Sequence, residues 1–192
     1  MSDHRHFVLY KPYGYLTQFV YNETRRKRRK LLGELHAFPE GTMAIGRLDE
    51  KSEGLLLLTT NGALSQLVRG NSIEKEYIVQ VDGTVTKQAI EHLKSGVTIG
   101  IHGKSFHTGP CKARIVDSPE FPDRGKPIRD DRHGKTSWVS ITITEGKFRQ
   151  VRKMTAAVGF PTLRLIRIRI GNTHLGQMQP GDVQEVESFD LT

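Results

Sequence analysis

The spacing of hydrophobic positions changes along this chain in ways that separate strands from helices. Leu55 to Leu58, closed by Thr59 and Thr60, is an unbroken apolar run too short for an ordinary helix, and predicts a strand buried on both faces. Asn61 and Gly62 then turn the chain into a short helix over Ala63 to Val68. A strand is predicted from Tyr77 to Val81, and Thr86 can cap a helix over Lys87 to Lys94 that places Ala89, Ile90 and Leu93 on one face. Trp138 to Thr144 alternates as a half-buried strand does. Phe148, Val151, Met154 and Val158 fall on one helical face, with Arg149, Arg152 and Lys153 on the others. LRLIRIRIG returns to a period of two, setting Ile166, Ile168 and Ile170 against Leu165, Arg167 and Arg169. Many strands and few helices, without regular βαβ alternation, predict an α+β fold.

Two segments interrupt this patterning. RRKRRK, from Arg25 through Arg26, Lys27, Arg28 and Arg29 to Lys30, is too densely charged to pack and predicts a solvated loop or an arm for phosphate. Asp117 to Thr136 carries prolines and charges with almost no aliphatic residues, and predicts a long surface insertion between strands. Near the start, HFVLYKPYGY begins as a strand and breaks at Pro12 and Gly14, with Lys11 just before the turn.

Composition narrows the partners. A length of 192 residues suits one unit, 1–192, with room for two lobes. The lone Cys111 excludes an internal disulfide scaffold and points to a reducing compartment. No apolar run approaches the roughly 20 residues needed to span a bilayer, so a cytoplasmic protein with no membrane partner is expected. Twenty-nine Lys and Arg against 21 Asp and Glu give a net charge of +8, which favours a polyanion. An aromatic content of 7% shifts the expected recognition toward backbone and shape rather than base stacking alone.

Candidate chemistry is sparse. Gly103-Lys104-Ser105 and Gly134-Lys135-Thr136 end like a phosphate loop but lack its preceding glycine, so no nucleotide cofactor is expected. The histidines are scattered and Asp49, Glu50 and Glu53 have no clear completing ligands, so no metal is expected either. Two local features remain. Gly46-Arg47-Leu48-Asp49 puts a carboxylate after a glycine turn, where backbone capping is the commoner role. Glu145 to Arg152 passes through Gly146 into a helix rich in cations, which is either a solvated basic face or an anion site.

Taken in series, LYKPYGYLTQ, GRLDEKSEGLLLLTTNG, EKEYIVQV, EGKFRQVRKM and LRLIRIRIG resemble the pseudouridine synthases, in the branch that modifies ribosomal RNA, over residues 7 to 171. The resemblance implies a mixed, mostly antiparallel sheet with flanking helices and a central cleft. It assigns Asp49 as the catalytic aspartate, Tyr77 as the tyrosine against the target base, Lys147 as the basic partner of Asp49, and Leu165 as the apolar residue under the site. Arg47 would fill the space left by a flipped nucleotide. Lys11, the block from Arg25 to Lys30, Arg149, Arg152 and Arg167 are expected to contact RNA.

Such a reaction breaks the bond from N1 to C1′, turns the uracil and rejoins it through C5, so it requires no cofactor. Asp49 could add to C6, add to C1′, or take the C2′ proton, and the sequence does not choose. The implied partner is ribosomal RNA, with the large-subunit (23S) RNA expected, naked or in a precursor particle, and the protein is expected to be a monomer. Relatives in this branch often carry a small RNA-binding domain before the catalytic part; here the first motif begins at residue 7, and no such domain is expected. A non-catalytic RNA-binding assembly factor on the same fold and a metal-dependent nuclease are the rival readings.

Overall fold

The structure is a computed structural model describing residues 4–20, 29–70, 72–129 and 131–192. Its strands are β1 (His6–Lys11), β2 (Tyr15–Leu16), β3 (Lys30–Leu31), β4 (Met43–Ile45), β5 (Glu53–Thr59), β6 (Lys75–Asp82), β7 (Thr98–Ile101), β8 (Lys104–His107), β9 (Lys112–Val116), β10 (Thr136–Ile143), β11 (Thr162–Ile170), β12 (Thr173–His174) and β13 (Val183–Val186). The helices are α1 (Gly62–Arg69), α2 (Lys87–Ser95) and α3 (Gln150–Ala157). Among the described residues the main sheet runs β13-β1-β5-β11-β6-β10-β9, with β4 on β5 and β12 on β11. Every pairing in it is antiparallel except β5 with β11. This is the α+β class that the alternation predicts.

The apolar run of β5 lies at the centre, paired on one side with β1 and on the other with β11, and all seven of its residues are buried. Helix α1 is capped by Asn61, whose side chain accepts from the Leu64 amide, and α2 by Thr86 accepting from the Ala89 amide. On one face of the sheet α2 and α3 cover Val79, Val81, Val139, Ile141 and Leu165. Farther along the same face, Phe7, Leu9, Leu56 and Leu58 gather around Leu32. The opposite face carries Val8, Tyr10, Leu55, Leu57 and Ile166, beneath Val68 of α1.

Between the two clusters of the first face runs a polar floor. Lys11 pairs with Gly54, Gly54 with Arg167, Arg167 with Tyr77, and Tyr77 with Ile141, a single register row across five strands. Gly54 has φ +101°, and a Cβ there would lie 2.3 Å from the Arg167 carbonyl oxygen. The close approach of β5 to β11 therefore requires glycine at this position.

The alternation expected of β11 is broken. Register shifts fall between Thr162 and Arg164 and between Arg167 and Arg169. A one-residue slip sends a side chain to the other face. Arg167 thus joins the floor, while Arg169 reaches Glu74 and Glu76 on the opposite face at 2.9 Å each. Arg167 and Arg169 do not share a face as the period of two predicts.

Candidate active site

Strand β4 ends at Ile45, fully buried, and the chain then loops through Arg47, Leu48 and Asp49 before entering β5. This loop is tied from several directions. Thr17 donates from its hydroxyl to the Leu48 carbonyl at 2.6 Å and accepts from the Leu48 amide at 3.2 Å. Arg167 donates from Nε to the Leu55 carbonyl at 2.8 Å and from Nη2 to the Gly46 carbonyl at 2.9 Å. The Gly14 amide donates to the Glu50 carbonyl at 2.8 Å, and Ser52 closes the turn by donating from its amide to the Asp49 carbonyl at 3.0 Å. Backbone fixed by the side chains of Thr17 and Arg167 and by the Gly14 amide holds a carboxylate in place better than a free surface turn would.

Arg152, in the first turn of α3, faces this carboxylate. Its Nη2 donates to the Lys51 carbonyl at 2.8 Å and to Ser52 Oγ at 3.2 Å, while its Nε lies 3.9 Å from Asp49 Oδ2. Arg152 Nε is buried and makes no hydrogen bond. The guanidinium is thus anchored beside Asp49 without closing on it, since a charge-assisted bond would be about 2.8 Å. Burial works against the Arg152 charge, and Asp49 is the largest influence restoring it.

Lys147 does not fill the place expected of it. It is exposed, and its ammonium lies 5.0 Å from the centroid of the Phe106 ring. The cation beside Asp49 is Arg152, which the sequence reading assigns to RNA contact. The reason lies in how the helix starts. Arg149 adopts φ 52° and α3 begins only at Gln150, so Arg152 turns toward Asp49 while Lys147 and Phe148 remain outside the helix. Phe148 is 53% exposed, and the expected apolar face keeps only Val151, Met154 and a half-buried Val158.

Lys11 and Arg167 are also displaced from the RNA surface. Lys11 is fully buried, with Nζ donating to the Pro12 carbonyl at 2.9 Å and to the Glu50 carbonyl at 3.5 Å. Desolvation pulls its pKa down to about 7, despite Glu53, Asp49 and Glu50. Arg167 is 2% exposed, and the guanidinium that could have met a phosphate braces the Asp49 loop instead.

Tyr77 is half-buried on the floor beside Arg167, against the α2 and α3 cluster. Leu165, at 4% exposure, lies two residues before Arg167 on β11, opposite Val79. Arg47 is exposed next to Asp49, and Arg149 is exposed before α3. Of the basic block, residues 25–28 lie outside the described residues. Arg29 pairs with Glu50 at 3.2 Å, and Lys30 sets its ammonium 5.3 Å from the centroid of the Tyr15 ring. The insertion also reaches this region, with the Arg124 guanidinium 4.5 Å from the Tyr13 ring centroid.

Sequence reasoning assigns no role to Thr17, Ser52, Gly54 or Tyr13. Thr17 bonds to a residue 31 positions away, and no local pattern carries that information. Gly54 sits within the quoted SEGLLLL motif, where a glycine opening a fully apolar strand is itself a sign of close backbone approach.

The arrangement comprises a fixed, half-exposed carboxylate, a buried guanidinium held just short of it, a tyrosine ring and a polar floor between apolar walls. Such a site can present a negatively charged oxygen to a flat polar ring. Residues 5–157 match the family model described as RNA pseudouridylate synthase. The chain is 38% identical over 189 residues to ribosomal large subunit pseudouridine synthase E of Vibrio parahaemolyticus, covering 97% of this chain and 76% of that one. It is 39% identical over 176 residues to the synthase E of Xanthomonas axonopodis pv. citri, covering 90% and 89%. A crystal structure of a pseudouridylate synthase superposes with a TM-score of 0.76 at 25% identity, covering 97% of this chain and 71% of that one. The motif series, the sheet and these likenesses agree, and the chain belongs to the RNA pseudouridylate synthase family.

Proposed function

We propose that this chain isomerises a uridine of ribosomal RNA to pseudouridine, with large-subunit RNA as substrate and Asp49 as the essential carboxylate. The observation that carries this reading is the braced Asp49 loop with Arg152 Nε 3.9 Å from the carboxylate. Residues 1–192 act in this reading as one catalytic unit, a monomer working in the cytoplasm.

The target nucleotide leaves its stack, at a cost of a few kcal/mol, and its uracil enters the cleft between the two apolar clusters. The net charge of +8 offsets that cost through phosphate contacts. Asp49 engages the sugar or base as the bond from N1 to C1′ breaks. Arg152 orients the carboxylate, the role first expected of Lys147. Tyr77 lies against the uracil while it turns, and Leu165 supports the floor. The bond from C5 to C1′ then forms, the C5 proton leaves to solvent, and N1 takes up a proton. Arg47, exposed beside Asp49, occupies the space vacated in the RNA.

Tritium release from C5-labelled uridine in large-subunit RNA tests this. Release by the intact protein that vanishes in Asp49→Asn is the expected result. Equal release by both proteins overturns the role of Asp49. No release from naked RNA or precursor subunits, with binding intact, overturns the enzyme in favour of a binding factor.

A further inference from the structure

Among the described residues only two other than glycine adopt positive φ, His102 at 47° and Arg149 at 52°. Both belong to one surface patch outside the site described above. Residues with a Cβ in this region carry roughly 1–3 kcal/mol of strain, and such strain gathers where function needs a side chain in a fixed place. His102 and Gly103 form the two-residue turn between β7 and β8, with both φ values positive. A turn of this kind favours asparagine before glycine, so histidine here is not the residue that turn chemistry selects.

The side chains show what the strained backbone holds in place. The His102 and Phe148 rings are stacked, 5.5 Å apart at 24°. Phe148 is 53% exposed, the only aromatic among the large exposed hydrophobics of the described residues. Lys153 sets its ammonium 5.1 Å from the Phe148 ring centroid and donates to the Gly100 carbonyl of β7 at 2.5 Å, which ties the hairpin to α3. Lys147 lies over Phe106 of β8, and the exposed Arg149 follows Phe148. Rings interleaved with cations suit a strand that alternates bases with phosphates.

Resting on the reading of RNA as substrate, we infer that the His102–Phe148 stack is a docking platform for a nucleobase flanking the target, with Lys147, Arg149 and Lys153 receiving the adjoining phosphates. Phe148 precedes Arg152 by four residues and lies just outside the start of α3. Because Arg152 in the first turn of α3 faces Asp49, RNA whose target lies at Asp49 brings its neighbouring nucleotides to that end of α3. The platform holds the strand in register while the target is out of its stack.

His102→Asn keeps the turn, because asparagine favours it, and removes the imidazole; Phe148→Leu keeps an apolar side chain and removes the ring. Affinity for an oligouridylate and for a large-subunit RNA transcript is measured for both, along with tritium release. Each variant is expected to bind RNA about tenfold more weakly, with KM raised and kcat retained. Lys147→Gln with Lys153→Gln is expected to lower the salt slope of binding by about two. Wild-type RNA affinity in both ring variants overturns the platform, even where tritium release proceeds and the catalytic reading stands. Equal weakening toward polyglutamate also overturns it, because the patch would then attract any polyanion without stacking. Weakened RNA binding in the ring variants of a protein that releases no tritium upholds the platform and removes the enzyme.

Discussion

Asp49 and Glu53 lie four residues apart at the entrance to β5, each beside an arginine, and the two pairs are built oppositely. Glu53 is fully buried and receives both Nε and Nη2 of Arg164, at 3.0 and 2.8 Å. Asp49 is half-exposed and stands 3.9 Å from Arg152, whose stronger bonds go to the neighbouring Lys51 carbonyl and Ser52 hydroxyl. A buried pair whose two oxygens are both engaged by arginine is closed to a substrate, whereas an open pair keeps an oxygen available and oriented. The comparison distinguishes a carboxylate that holds the fold from one that can do chemistry.

Substitution should separate the two. Asp49→Asn is expected to lower tritium release about 10⁴-fold or more, with a urea midpoint close to that of the parent. Glu53→Gln leaves Arg164 buried against half a partner and is expected to cost about 3–5 kcal/mol in urea unfolding, while the folded fraction keeps its turnover. If Glu53→Gln removed turnover without loss of stability, the contrast between the pairs would fail. Arg152→Lys keeps the charge but cannot reach both Lys51 and Ser52 while facing Asp49. A fall in kcat of about 10²-fold with little change in KM is expected.

The smallest effect concerns Lys11, between the two carboxylates. Its folded pKa of about 7 lies below the ordinary 10.5, so above pH 7 the unfolded chain binds the extra proton and stability rises with pH. Cys111, raised from 9 to about 11 by burial, acts in the opposite sense above pH 9. Lys75, lowered to about 8 by burial, adds to the rise above that pH, so the contribution of Lys11 is read between 7 and 8, at up to about 1.4 kcal/mol per pH unit, from urea unfolding at several pH values. Lys11→Met should flatten it; an unchanged slope would show that Lys11 titrates as an exposed lysine does.

What could be read from the chain follows the same division. β5, the turn at Asn61 into a short helix, the cap at Thr86 and the α+β class rest on local patterns, and all are present in the structure. The destinations of cations were not legible. Lys147, Arg149, Arg152 and Lys153 crowd seven positions, and only the point where α3 begins decides which meets Asp49. Arg167 reads as a surface cation until the slips in β11 turn it beneath the Asp49 loop. Lys11 is buried because β1 is covered on both faces, a fact of tertiary pairing rather than of its neighbours in sequence. Glu53 was seen only as one of three nearby acids, because its partner lies 111 positions away.

That parallel pairing of β5 with β11 has a consequence for biosynthesis. Arg167 and Gly46 are 121 residues apart, so a chain still emerging from the ribosome carries its Asp49 loop without the Arg167 brace until β11 has been translated. β11, the last long strand to appear, joins β5 to β6 and sets Arg167 under the Asp49 loop, so the loop gains its final brace only when that strand docks.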